Sequence, residues 1–183
     1  MSPADALLDR CVEYLRANGF RDHSLRQLAA AVGTSHRMLI YHFGSREGLL
    51  AEVVGRVEAE QRAALSALGD AAADPVAASE SFWHRVADPD LAPAERLFFE
   101  VYALALHSPA WSAEFATTVI DTWLPPLTAL LEAHGVPPAA APARARLALA
   151  TARGLLLDLL LTGDRDAVEA AAREFQGMLF GVV

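Results

Sequence analysis

The sequence has no lysine, a single cysteine and no long uncharged apolar run, and each lack removes a class of protein. One cysteine, Cys11, cannot form a disulfide within the chain, so a disulfide scaffold is excluded and a reducing, cytoplasmic setting is expected. The most apolar stretch, 147–162, is interrupted by Arg153 and Asp158 and is too short and too charged to span a bilayer. The opening residues do not combine a charged segment with an apolar one, so no secretory signal and no membrane association are expected. Strand-forming runs of Val, Ile, Thr and aromatics are scarce, whereas Ala and Leu dominate, which predicts an all-α protein. The motifs of helical metalloenzymes and hydrolases are missing: no Glu-x-x-His pair, no His-Glu-x-x-His, no Gly-x-Ser-x-Gly and no phosphate loop. Catalysis would have to rest on unpaired His and Asp residues. No enzyme, metal site or cofactor is therefore expected.

What is present is apolar and unevenly charged. Hydrophobic residues make up 54% of 183 positions, enough for a sizeable core, and the net charge is −8. That balance argues against nucleic acid until it is divided. Residues 1–50 carry six Arg against five acids, and the remainder nine Arg against eighteen. From Arg21 to Arg46 there are four Arg and one acid, Asp22. A locally basic segment on an acidic body can hold DNA by one end.

Helix signals partition the chain. Ser2-Pro3-Ala4-Asp5 is a helix start, followed by Leu7, Leu8, Cys11, Val12 and Leu15 on one face and a stop at Asn18-Gly19. Phe20 is expected to tuck into the core. Ser24-Leu25-Arg26-Gln27 is a capping box that opens a second helix, with Leu25, Leu28, Ala29 and Val32 inward and Gly33 as its breaker. Ser35 caps a short third helix to about His42, with Leu39 and Phe43 four apart on its inward face. Gly44-Ser45 separates it from a long fourth helix that runs to about Leu68. A soft linker at 69–75 follows, then helices near 76–87, 93–107, 110–133, 142–162 and 165–180. Pro125-Pro126 should kink or split the 110–133 stretch.

Two short helices joined at a glycine are what a helix-turn-helix requires. The run from Ser24 to Ser35, then Leu39, then His42-Phe43-Gly44-Ser45-Arg46-Glu47-Gly48-Leu49-Leu50, resembles the DNA-binding region of the TetR family of regulators. The resemblance covers roughly residues 5–60. It implies a three-helix DNA-binding domain at 1–50, a fourth helix leading out of it, and a helical ligand-binding and dimerisation domain at 69–183. It also implies a ligand-responsive regulator, by the family's habit a repressor, acting on a double-stranded and palindromic operator. One departure stands out. Where the family usually has Gly-Thr-Leu-Tyr in its recognition helix, this chain has Arg37-Met38-Leu39-Ile40, with Tyr41 one place later.

The third helix should then present His36, Arg37, Tyr41 and, at the margin, Ile40 to base edges, while Ser24, Ser35, His42 and Arg46 hold phosphates. For Ser24 and Ser35 the plain N-cap is the alternative role. Arg46 sits in the first turn of a helix, where a cation opposes the dipole, which favours a partner outside the helix. In the body, Phe98, Tyr102, His107, Trp111, Phe115 and Trp123 lie on segments that line the ligand cavity of TetR-like proteins, and ordinary core packing is the alternative for each. Arg153 and Asp158 can pair with each other, with a partner subunit or with a ligand. The 142–162 helix is apolar on nearly every face, which predicts a homodimer built from this helix and the last one. The competing readings are a structural helical dimer with a degenerate helix-turn-helix and an all-helical enzyme.

Overall fold

The computed structural model describes residues 2–19, 24–71, 74–107 and 109–180. Phe20 lies outside them. Among the described residues there is no strand, and ten α-helices account for most of the chain. They are α1 (Pro3–Asn18), α2 (Leu25–Ala31), α3 (His36–Phe43), α4 (Arg46–Ala71), α5 (Pro75–Val86), α6 (Ala92–Leu106), α7 (Pro109–Ala116), α8 (Leu124–Ala133), α9 (Ala141–Thr162) and α10 (Arg165–Phe180). The helices form two compact units. The first comprises Met1–Glu60 with Asp90–Phe115, and the second Gln61–Pro89 with Ala116–Val183.

In the first unit, the sequence's capping residues act as such. Ser2 accepts from the Asp5 N–H while Asp5 accepts from the Ser2 N–H, closing a capping box at the start of α1. The expected apolar face of α1 is buried, with Cys11 and Leu15 fully so. Burial pushes the Cys11 thiol up to about 11, with the Arg10 charge pulling the other way. α1 packs on α6, and α2 on α3. The fully buried Leu15, Leu28, Leu39, Leu49, Leu50 and Val53 come from α1 to α4, so each of the four helices contributes to the interior of the head.

In the second unit, α9 packs on α8 and α10, and α10 also on α5. One cluster gathers Leu131, Val136, Ala141, Ala145 and Leu179. Another gathers Leu65, Trp123 and Leu149 with Phe82, Ile120 and Leu127 around them. Arginines fasten helix ends here. Arg165 donates to the Ala87 carbonyl at 2.7 Å, and Arg144 to the Leu179 carbonyl at 3.0 Å.

The helix bounds differ from expectation in three places. α4 continues through Gly69 to Ala71, because one glycine in a long helix costs only about 1 kcal/mol. Asp74, within the expected linker, caps α5 through the Val76 N–H. The 110–133 stretch is split, and the prolines do not sit at the break. They occupy the first turn of α8, where a missing N–H costs nothing, and the chain before them passes through a π turn at Thr117–Asp121.

Candidate DNA-reading face

The turn between α2 and α3 rests on Gly33, whose φ of 71° lies in the left-handed region that side chains avoid. Around it the end of α2 is closed by backbone bonds: Gly33 N–H to the Ala30 carbonyl at 3.3 Å and Thr34 N–H to the Ala29 carbonyl at 2.8 Å. Arg10, on α1, donates from Nε to the Val32 carbonyl at 3.0 Å. The guanidinium thus ties α1 to the residue that enters the turn. At the other end of α3, Gly44 has φ 75° and donates to the Ile40 carbonyl at 2.9 Å. Ser45 then accepts from the Gly48 N–H at 2.9 Å and opens α4. α3 is thus bounded by a left-handed glycine after α2 and another at its own end.

α3 is two-sided. Leu39 is 1% exposed and Phe43 half-buried, whereas His36, Arg37, Met38 and Tyr41 are exposed, Tyr41 by 77%. Ile40 and His42 are half-buried. The outward set predicted for bases is therefore exposed except at its margin. The ring of Tyr41 meets that of His42 edge-on at 5.0 Å.

Sequence reasoning passed over Met38, which is 41% exposed on this face. The signal was present. At about 100° per residue, Met38 lies further from the Leu39–Phe43 direction than Ile40 does. Its apolar character concealed it.

The predicted phosphate contacts fall into three situations. The Ser24 hydroxyl is occupied: it accepts from the Gln27 N–H at 3.3 Å and donates to Gln27 Oε1 at 2.8 Å. The Ser35 hydroxyl accepts from the Met38 N–H at 3.2 Å, a bond that leaves its own O–H unspent. Arg46 lies 3.9 Å from Glu47 Oε1, both side chains 42% exposed, a surface pairing worth about 0–1 kcal/mol.

The predicted ligand-lining aromatics are only partly brought together. Phe98, Tyr102, Phe115 and Trp111 form a chain of ring contacts in the first unit, with successive centroids 5.6, 6.2 and 5.3 Å apart. His107, at the end of α6, is exposed. Trp123 belongs to the second unit, where it is buried against Phe82 at 5.9 Å. Arg153 donates to the Val119 carbonyl. Among the described residues no group of three His, Cys, Asp or Glu could hold a metal, and no helix is long and apolar enough to cross a membrane.

Comparison with known proteins bears on this face and on the whole chain. Residues 7–53 match the family model of bacterial regulatory proteins, tetR family. Among curated proteins none matches the sequence. Solved structures match the whole chain. A transcriptional regulator from Rhodococcus sp. RHA1 is 22% identical with a TM-score of 0.76, covering 98% of this chain and 97% of its own. A TetR-family transcriptional regulator from Pectobacterium atrosepticum is 21% identical with a TM-score of 0.71, covering 98% and 95%. The multidrug binding protein EbrR, solved with imidazole, is 24% identical with a TM-score of 0.69, covering 97% and 90%.

Proposed function

We propose that this chain, whose residues 7–53 match the tetR family of bacterial regulatory proteins, is a DNA-binding transcription regulator, and specifically a homodimeric repressor released from a palindromic operator by a small amphipathic molecule. The observation that carries this reading is the two-sidedness of α3. One buried leucine anchors the helix, and an exposed row of His36, Arg37, Met38 and Tyr41 is left without a structural task. A helix so mounted enters a major groove with its N-terminal residues deepest, which gives Arg37 the base contact and Ser35, His42 and Arg46 the phosphates. Ser24 joins them only by turning its hydroxyl away from Gln27, and Ile40 reaches a thymine methyl at most.

The dimer reading is supported by α9. Leu147, Ala150, Gly154, Leu157 and Leu161 are all exposed and recur at spacings of three and four, a continuous apolar stripe with no cover in the single chain. α10 adds Met178, 57% exposed. Two copies of such helices make a four-helix interface and set two recognition helices at a fixed spacing. An effector that binds one spacing better than the other shifts the population and so the affinity for DNA. Residues 1–50 with the start of α4 are then the DNA-binding part, and 69–183 the sensing and dimerising part. EbrR, a multidrug binding protein solved with imidazole, is a precedent for a small-molecule site in this fold.

The test is a gel shift of the dimer with the DNA upstream of its own gene, repeated with Arg37→Ala. A shifted band lost in the variant supports the reading. No shift with any upstream fragment favours the structural dimer.

A further inference from the structure

A π turn frees backbone carbonyls, because each N–H reaches one residue further back than in an α-helix. In the second unit, two arginines from different helices reach the carbonyls of the Thr117–Asp121 turn. Arg62, on α4, donates to the Thr118 carbonyl at 3.5 Å, and Arg153, on α9, to the Val119 carbonyl. Their targets are the carbonyls of consecutive residues. The Thr118 carbonyl already accepts a bond from the Thr122 hydroxyl at 2.5 Å, so Arg62 holds the long end of a shared acceptor. The Arg62 guanidinium carbon also lies 5.9 Å from the centre of the Trp123 ring. Among the described residues no carboxylate pairs with Arg62.

A guanidinium carries five N–H donors in a planar fork and is best matched by a carboxylate, which accepts two of them at once. Arg62 is half-buried and makes one long bond and one contact with an aromatic face. Beside it lies the apolar cluster of Leu65, Trp123 and Leu149 with Phe82 packed on it. Two cations held on neighbouring carbonyls at the border of an aromatic and aliphatic cluster have the chemistry of a site for an anion with an apolar body.

We propose that Arg62 and Arg153 clamp the carboxylate of a small amphipathic acid whose apolar body packs beside Trp123. This deepens the effector reading above and rests on it: the polar group of the effector is an anionic carboxylate, and the body is aromatic or aliphatic. Binding draws Arg62 from its long bond to the Thr118 carbonyl, with Arg153 on the neighbouring Val119 carbonyl adding donors to the ligand. Arg62 sits on α4, which is separated from the end of the recognition helix by only two residues, Gly44 and Ser45. A ligand that engages Arg62 therefore acts on the element that leads directly to the DNA-reading face.

The experiment uses the full chain and four probes: phenylbutyrate and decanoate, and the uncharged phenylbutyramide and decanamide. Calorimetry and thermal shift are read for the wild type, R62Q and R153Q. The acids are expected to bind roughly ten- to hundredfold more tightly than their amides. Either substitution should abolish most of that difference. Should R62Q fail to fold, R62K and R153Q carry the same comparison, since an ammonium keeps the charge but not the fork. Amides that bind as tightly as acids overturn the clamp and leave the effector reading standing. Absence of binding by either acid also overturns it. An R62Q protein that is less stable without ligand, yet keeps the full preference for acids, assigns the arginine to the π turn alone and overturns the proposal too.

Discussion

Truncating Leu161 to alanine should weaken the dimer, and the expected size of the loss follows from its exposure. Leu161 is 83% exposed in the single chain, near the end of the α9 stripe. Fully burying a leucine side chain is worth about 1.5–3 kcal/mol, so covering what is exposed here is worth about 1–2.5 kcal/mol per copy. A two-fold interface uses the same residue on both sides, so Leu161→Ala should cost about 2–5 kcal/mol per dimer. That is roughly thirtyfold to several thousandfold in Kd. Leu157 is 48% exposed, and its truncation should cost about half as much by the same proportion. The monomer should be unharmed, since neither side chain fills its interior. Sedimentation equilibrium over a micromolar dilution series reads the constant directly, and circular dichroism checks the fold. The reasoning is refuted if the wild type sediments as a monomer at micromolar concentration, or if both truncations leave the association constant unchanged.

The two arginines of the DNA face should separate by assay. Arg37→Ala should cost roughly 1–3 kcal/mol on the operator and little on random DNA, while Arg46→Ala weakens both alike and lowers the salt slope by about one in fluorescence anisotropy. Leu39→Ala removes a side chain that is 1% exposed and should destabilise the head by about 2–5 kcal/mol in a urea melt, with DNA binding lost alongside. Gly33→Ala meets no atom within 4 Å, so its cost is conformational strain alone, about 1–2 kcal/mol, read as a lowered Tm with the core intact. Cys11 should resist a thiol reagent in the native protein at pH 8 and react on unfolding. Because its thiol is pushed up to about 11, the fold favours the neutral form, and this contribution to stability holds below the ordinary thiol range and is lost as pH rises toward that value.

Much of the head is legible in the sequence because its signals are local. Ser2, Ser24 and Ser35 cap helices, and Gly33 and Gly44 take left-handed backbone where α2 and α3 end. Each acts within four residues of itself, so spacing alone exposes it. The α9 and α10 bounds are legible for the same reason, set by Gly163 at φ 71°. Three features were hidden, one by its period and two because they depend on distant parts of the chain. A π turn holds one extra residue per turn and leaves no mark on a 3.6-residue period, so 117–121 reads as ordinary helix. The aromatic residues from Phe98 to Trp123 look like one group along the chain, but the division between the two units falls among them, after Phe115. One acceptor of Arg153, the Val119 carbonyl, lies 34 residues away, and nothing in the apolar run around the arginine indicates it.

The absence of lysine gains a structural meaning from the bonds that the arginines make. Arg10, Arg62, Arg144, Arg153 and Arg165 all donate to main-chain carbonyls, at Val32, Thr118, Leu179, Val119 and Ala87. Each of these carbonyls lies in a helix end, a turn or the π segment, where the helical ladder leaves acceptors short of partners. An ammonium group could supply charge at these places, but it holds a partner as a compact point charge, without the fixed fork that lets one side chain serve two acceptors. Arg10 uses the fork in that way, giving Nε to Val32 and Nη1 to Ala6. The arginines therefore divide by the geometry of their acceptors. Those facing carbonyls fasten helices to one another, whereas Arg26 on α2 and Arg37 on α3 are exposed. A chain whose net charge is −8 can still hold a polyanion, because residues 21–46 carry four Arg against one acid.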